Sequence, residues 1–173
     1  MIPQIKKILY TTDLTKNSLY AFYFAVDMAR KHDASIVILH CIEPISSYLY
    51  AAGVTPDLVK VLHEGEEQVK KEDVAEIKKV LQQFCQNAES QIGSPCLNLV
   101  SEIIVKEGYS VEQILNTADT KECDVIVLGT HGKGWLKQTF LGSMARSVLE
   151  RTRKPVFIIP LPSEKSTIET GTL

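Results

Sequence analysis

Five short apolar runs, each separated from the next by a longer stretch, dictate what this chain of 173 residues can fold into. The runs are Ile5 to Thr11, Ser35 to Cys41, Leu99 to Lys106, Asp124 to Leu128 and Pro155 to Ile159. Each is rich in Ile, Val or Leu and lacks polar alternation, the pattern of strands covered on both faces. Helical patterns lie between them, and parallel strands need such crossovers to bring the chain back. The alternation therefore predicts an α/β domain with a mainly parallel sheet. The length suits one domain, with residues 1–162 forming the body and the polar residues 163–173 a disordered or loosely docked tail.

The connecting segments carry the expected stripes. Leu19, Phe22, Tyr23, Val26 and Ala29 share one helix face, whereas Lys16, Asp27, Arg30 and Lys31 fall largely elsewhere. Ile77, Leu81, Phe84 and Ala88 mark the inner face of a highly charged second helix. The segment before it, Glu43 to Leu62, mixes Pro44, Ser46, Ser47, Tyr48, Tyr50, Gly53 and Pro56 and reads as an irregular loop or a lid. After Gly108, Ser110 and Gln113 form a Ser-x-x-Gln capping box that is expected to start another helix.

Charge and cysteine usage remove several function classes. Lys and Arg total 19 against 21 Asp and Glu, a formal charge of -2, so no general attraction to nucleic acid or an anionic membrane follows. The N-terminus lacks the apolar core of a signal peptide, and no run reaches about 18 apolar residues. A cytoplasmic location is expected. Cys41, Cys85, Cys96 and Cys123 include no Cys-x-x-Cys pair, which argues against a zinc site or a redox dithiol.

The chemistry lies after the fourth run. Gly129, Gly132, Gly142 and Ser143 are spaced Gly-x2-Gly-x9-Gly-Ser between a strand and an amphipathic helix. There the loop amides and the helix N-terminus point to the crevice outside the strand ends, where phosphate charge is favourably received. The Ser143 hydroxyl can donate to phosphate or cap its own helix. Two better-known phosphate motifs fail: Gly-x4-Gly-Lys-Ser/Thr is absent, and Gly129, Gly132 and Gly134 run in the reverse order of the dinucleotide fingerprint, after the wrong strand.

This spacing, preceded by Asp-Val-Ile-Val-Leu and followed by Lys-Pro-Val-Phe-Ile-Ile-Pro, resembles the nucleotide-binding branch of the universal stress protein family. Lys7 to Thr15 is similar to that family's opening strand and aspartate-bearing turn, and Ile38 to Pro44 to its second strand. The resemblance spans roughly residues 4 to 160. It implies a five-stranded parallel sheet in order 3-2-1-4-5 with helices on both faces, Rossmann-like and akin to the adenine nucleotide alpha hydrolases. Carried over position by position, it implies that Thr12 and Asp13 meet the adenosine and that Cys41 contacts adenine through its backbone. Gly129, His131 and Gly132 line ribose and phosphates, and Gly142 and Ser143 hold phosphate. Thr11, where relatives often carry proline, joins the same set, as do Thr130, Lys133 and Met144. His131, Lys133, Lys137 and Trp135 carry no catalytic assignment.

The function implied is binding of ATP or AMP by a cytoplasmic stress-response sensor or regulator. It would act through a homodimer paired along Val156, Phe157, Ile158 and Ile159, with a protein partner the sequence does not identify. No nucleic acid, membrane or protein-held metal is expected. No general base or acidic metal pair lies beside the loop, so slow ATP hydrolysis, with Mg²⁺ riding on the triphosphate, is the most turnover expected. Three rivals differ in their residues. An adenylating enzyme of the related hydrolase group carries Ser-Gly-Gly-x-Asp-Ser where this chain has Thr11-Thr12-Asp13-Leu14-Thr15. A receiver domain needs an aspartate where Lys106-Glu107-Gly108 stands. A nucleotide-free dimerisation module is the remaining alternative.

Overall fold

The computed structural model describes residues 2–43, 55, 69–93, 95–130 and 141–160. Five parallel strands form one sheet: β1 (Lys7–Thr12), β2 (Ser35–Ile42), β3 (Val100–Glu107), β4 (Val125–Gly129) and β5 (Val156–Ile159). Their order is β3-β2-β1-β4-β5, as the resemblance implied. Among the described residues the α-helices are α1 (Lys16–His32), α2 (Val69–Ile92), α3 (Ser110–Thr120) and α4 (Ser143–Arg151). All five apolar runs became strands, with ends shifted by at most two residues.

The period of two along each strand divides the core into two layers. On one face Ile8, Tyr10, Ile36, Ile38, Val125 and Val127 pack with Phe22, Val26 and Ala29 of α1 and Leu81, Cys85 and Ala88 of α2. On the other face Leu9, Val37, Leu39, Ile126 and Leu128 pack with Ile114 and Ala118 of α3 and Ala145 and Val148 of α4. Both helix stripes expected from the sequence thus face the sheet. Phe22 and Leu81 are fully buried, each contributing about 1.5–3 kcal/mol of transfer free energy.

Local signals end the elements. Thr15 caps α1 through its side chain, and Asp33 closes it in the left-handed conformation, its amide returning to Ala29. At the amino end of the sheet, Asp124 Oδ2 accepts from the amides of Lys6 and Lys7 at 2.7 and 2.8 Å, tying the entries of β1 and β4 together. Glu89 accepts from the amides of Cys96 and Leu97, both at 2.6 Å, which fixes the chain leading into β3 against α2.

The capping box does not form. Tyr109 holds the cap position without a side-chain bond, Ser110 is the first helical residue, and its hydroxyl donates instead to Glu43 Oε1 at 2.8 Å. A carboxylate beyond the end of β2 is the stronger acceptor, and no local motif reveals it. The remainder of the Glu43 to Leu62 segment, apart from Thr55, lies outside the described residues, as does the 163–173 tail.

Candidate functional site: a cleft at the carboxyl ends of the strands

In sheet order β1 is central, with β2 on one side and β4 on the other, so their loops diverge where the strand order reverses. Open α/β sheets bind ligands at that point. A cleft opens there, lined by Thr11, Thr12, Asp13, Ser18, Leu39, Cys41, Ser110, Ile114, Gly129 and Met144.

The turn after β1 is held by a compact polar network. Thr12 Oγ1 donates to Ser18 Oγ at 2.9 Å and accepts from the amide of Leu14 at 3.0 Å. Ser18 Oγ in turn donates to the carbonyl of Thr15 at 2.7 Å. Leu14 sits at φ 65°, a region costly for a bulky side chain, and these bonds hold it there. Asp13 Oδ1 accepts from the amide and hydroxyl of Thr15 at 3.0 and 2.6 Å. Its other oxygen, Oδ2, is buried with no hydrogen-bond partner among the described residues. A buried carboxylate oxygen without a donor is costly, and because Asp13 lines the cleft a bound donor is its natural complement.

At the β2 side the cleft is apolar. β1 pairs with β2 only as far as Thr12↔His40, whereas β2 continues through Cys41 and Ile42 paired with β3 alone. The Ile42 carbonyl accepts from the amide of Gly108 beyond β3, so alternation turns the main-chain groups of Cys41 toward the space that β1 has left. Leu39, Cys41 and Ile114 line this end. His40 Nδ1 donates to the carbonyl of Thr12 at 2.8 Å and locks the end of β1 to β2. Burial, reinforced by the charge of Glu43, pushes the Cys41 thiol up to about 11. It is a neutral, apolar wall at physiological pH.

At the β4 side the cleft meets a helix start. A Cβ added to Gly129 would meet no atom within 4 Å, so packing does not demand this glycine, and its bareness leaves room in the cleft. Thr130 donates its amide to the carbonyl of Ile159 at 2.9 Å and accepts from the amide of Gly142 at 3.0 Å. That pairing closes the base of the glycine loop. Gly142 is the cap of α4, with no side-chain cap bond, and its carbonyl takes the first helical bond from Arg146. The amides of Ser143, Met144 and Ala145 precede that first bond, giving the helix end its partial positive charge. The exposed Ser143 side chain does not cap the helix.

The structure therefore brings Thr11, Thr12, Asp13, Cys41, Gly129 and Met144 into one cleft and places Thr130, Gly142 and Ser143 at the adjoining loop base. His131, Gly132, Lys133, Trp135 and Lys137 lie outside the described residues. Sequence reasoning missed Ser18, Leu39, Ser110 and Ile114 as cleft residues. Leu39 and Ile114 look like ordinary core, and the serines like ordinary caps; the available signal was their place at the carboxyl side of the sheet. Among the described residues no group of three or more His, Cys, Asp or Glu is placed to hold a metal ion. No described helix is long and apolar enough to cross a membrane.

Comparison with known proteins agrees with this architecture. A sequence model of the universal stress protein family matches residues 4–160. A universal stress protein of Methanocaldococcus jannaschii is 28% identical over 162 residues, covering 89% of this chain and 94% of its own. Universal stress protein UspA from Lactobacillus plantarum superposes with a TM-score of 0.67 at 26% identity, covering 91% of this chain and 99% of that one. The universal stress protein from Archaeoglobus fulgidus, solved in complex with dAMP, shares the fold with a TM-score of 0.55 at 21% identity, covering 92% and 99%.

Proposed function

Because the chain belongs to the universal stress protein family, we propose that its cleft binds an adenine nucleotide, ATP or AMP, and that binding regulates a cytoplasmic stress response. The observation that carries this reading is the buried, donorless Oδ2 of Asp13. Asp13 lines the cleft together with Leu39, Cys41 and Ile114 at its apolar end and with Gly129 and Met144 near a helix N-terminus. A nucleotide matches that sequence of environments. The base occupies the apolar end, a ribose hydroxyl donates to Asp13, and the phosphates lie at the amides opening α4. Solved relatives of this fold in complex with dAMP and with cAMP support the class of ligand.

Binding is the activity these residues equip. Thr12 and Asp13 are engaged in holding the turn that starts α1. Mg²⁺ accompanies ATP on its phosphates, and hydrolysis is at most slow. Signalling runs through a homodimer joined at β5, the edge strand next to β4. Phe157 is 45% exposed on that strand, and a twofold partner would cover it. Mass spectrometry of small molecules released on denaturing the purified protein tests the ligand assignment. Recovery of AMP or ATP is the expected result; recovery of a different ligand class would overturn it.

A further inference from the structure

Ser110 and Glu43 form a polar unit at the otherwise apolar end of the cleft. Ser110 lines the cleft beside Cys41 and one helical turn before Ile114, so its side chain borders the space assigned to the base. A serine hydroxyl has one proton and two acceptor lone pairs. Here the proton is directed to Glu43 Oε1, 2.8 Å away, and an ionised carboxylate can only accept. The tie of Gly108 to Ile42 fixes the turn that carries Ser110 against the end of β2, where Glu43 follows. Ser110 also shares a hydrogen bond with the Cys41 thiol, and what its oxygen has left for a ligand in the cleft is acceptor capacity.

On this basis, and resting on the nucleotide reading above, we infer that Ser110, with its proton held by Glu43, is a specificity-determining residue that favours a base carrying an exocyclic amino group over its 6-oxo counterpart. An amino group donates to the Ser110 oxygen. A 6-oxo group faces it lone pair to lone pair, and both acceptors are left unpaired in a partly desolvated site, which is where discrimination between bases is greatest. Glu43 acts through Ser110 as a positioning residue, since its carboxylate keeps the hydroxyl proton turned away from the base.

The test uses the full chain and compares ATP with ITP, which differ in this amino-for-oxo exchange and in the N1 proton that accompanies it, so the change of the ratio in the Ser110 variant isolates the exocyclic group. Calorimetric titration of the wild type is expected to show ATP bound about tenfold more tightly than ITP. Ser110→Ala removes the acceptor and narrows the ratio to about twofold, chiefly by weakening ATP. Glu43→Ala keeps the hydroxyl but releases its proton to turn toward a 6-oxo group, so it narrows the ratio chiefly by strengthening ITP. A merely structural role would weaken both nucleotides in parallel. Equal affinities for ATP and ITP in the wild type overturn the inference while leaving the nucleotide site standing, and that measurement needs no variant to fold. A ratio unchanged in Ser110→Ala also overturns it. Failure of both nucleotides to bind the wild type removes the site reading and the inference together.

Discussion

Asp13 receives both the amide and the hydroxyl of Thr15 on a single carboxylate oxygen, at 3.0 and 2.6 Å, and holds its second oxygen buried without a donor. The first oxygen builds the turn that starts α1, and the second has no donor among the described residues. This division makes structural and binding roles separable by substitution. In Asp13→Asn the amide oxygen can still accept from Thr15, whereas an NH₂ replaces the waiting acceptor. Nucleotide affinity is expected to fall at least tenfold, about 1.4 kcal/mol or more, while the melting temperature of the ligand-free protein holds or rises. Titration and thermal unfolding of the same preparation check both halves.

Cysteine reactivity reports on the apolar end of the cleft. With the Cys41 thiol pushed up to about 11 by burial, little thiolate exists at pH 8. Cys85 and Cys123 are buried, with thiols raised to about 12 and about 11. Alkylation of the native protein at pH 8 is therefore expected to be slow and confined to half-buried Cys41, and bound ATP should slow it further. Peptide mass spectrometry after timed quenching reads the site and the rate.

Acid stability should depend on Glu89. Its hydrogen bonds from the amides of Leu97 and Cys96 hold its carboxyl below the ordinary value of 4.5. Because the folded value is depressed, the stabilisation is present above the unfolded value and is lost as pH falls below about 4.5 through the folded one. Denaturant midpoints measured from pH 6 to pH 3 should fall less steeply for Glu89→Gln than for the wild type.

Pairing of β5 edges gives a sharp expectation for Phe157. Phe157→Asp places a charge on the exposed edge without opening the buried core, since Phe157 is already 45% exposed. Sedimentation should show a dimer for the wild type and a monomer for the variant, with unchanged circular dichroism.

The sheet was legible in the chain because strands buried on both faces leave unbroken apolar runs, as at Val125 to Leu128. Helix faces were legible from their period, as Phe22, Val26 and Ala29 show. Partnerships across the sheet were not. Ser110 looked like a cap because Gln113 follows at the right spacing, but Glu43, 67 positions earlier, takes its hydroxyl. Ile114 and Leu39 look like core residues in sequence, and only the divergence of β1, β2 and β4 makes them the wall of a cleft. Asp13 could be singled out beforehand, but its unpaired oxygen appears only once the turn is built.

Gly129 offers the most direct test of the central claim, that the cleft between β2 and β4 holds an adenine nucleotide. A Cβ added there would meet no atom within 4 Å, so Gly129→Val is expected to fold as the wild type does while projecting into the cleft. Calorimetric titration of both proteins with ATP and AMP is predicted to show saturable binding of one nucleotide per chain in the wild type and none in a variant of unchanged melting temperature. Absence of saturable wild-type binding at millimolar nucleotide, or equal binding by Gly129→Val, would contradict the account.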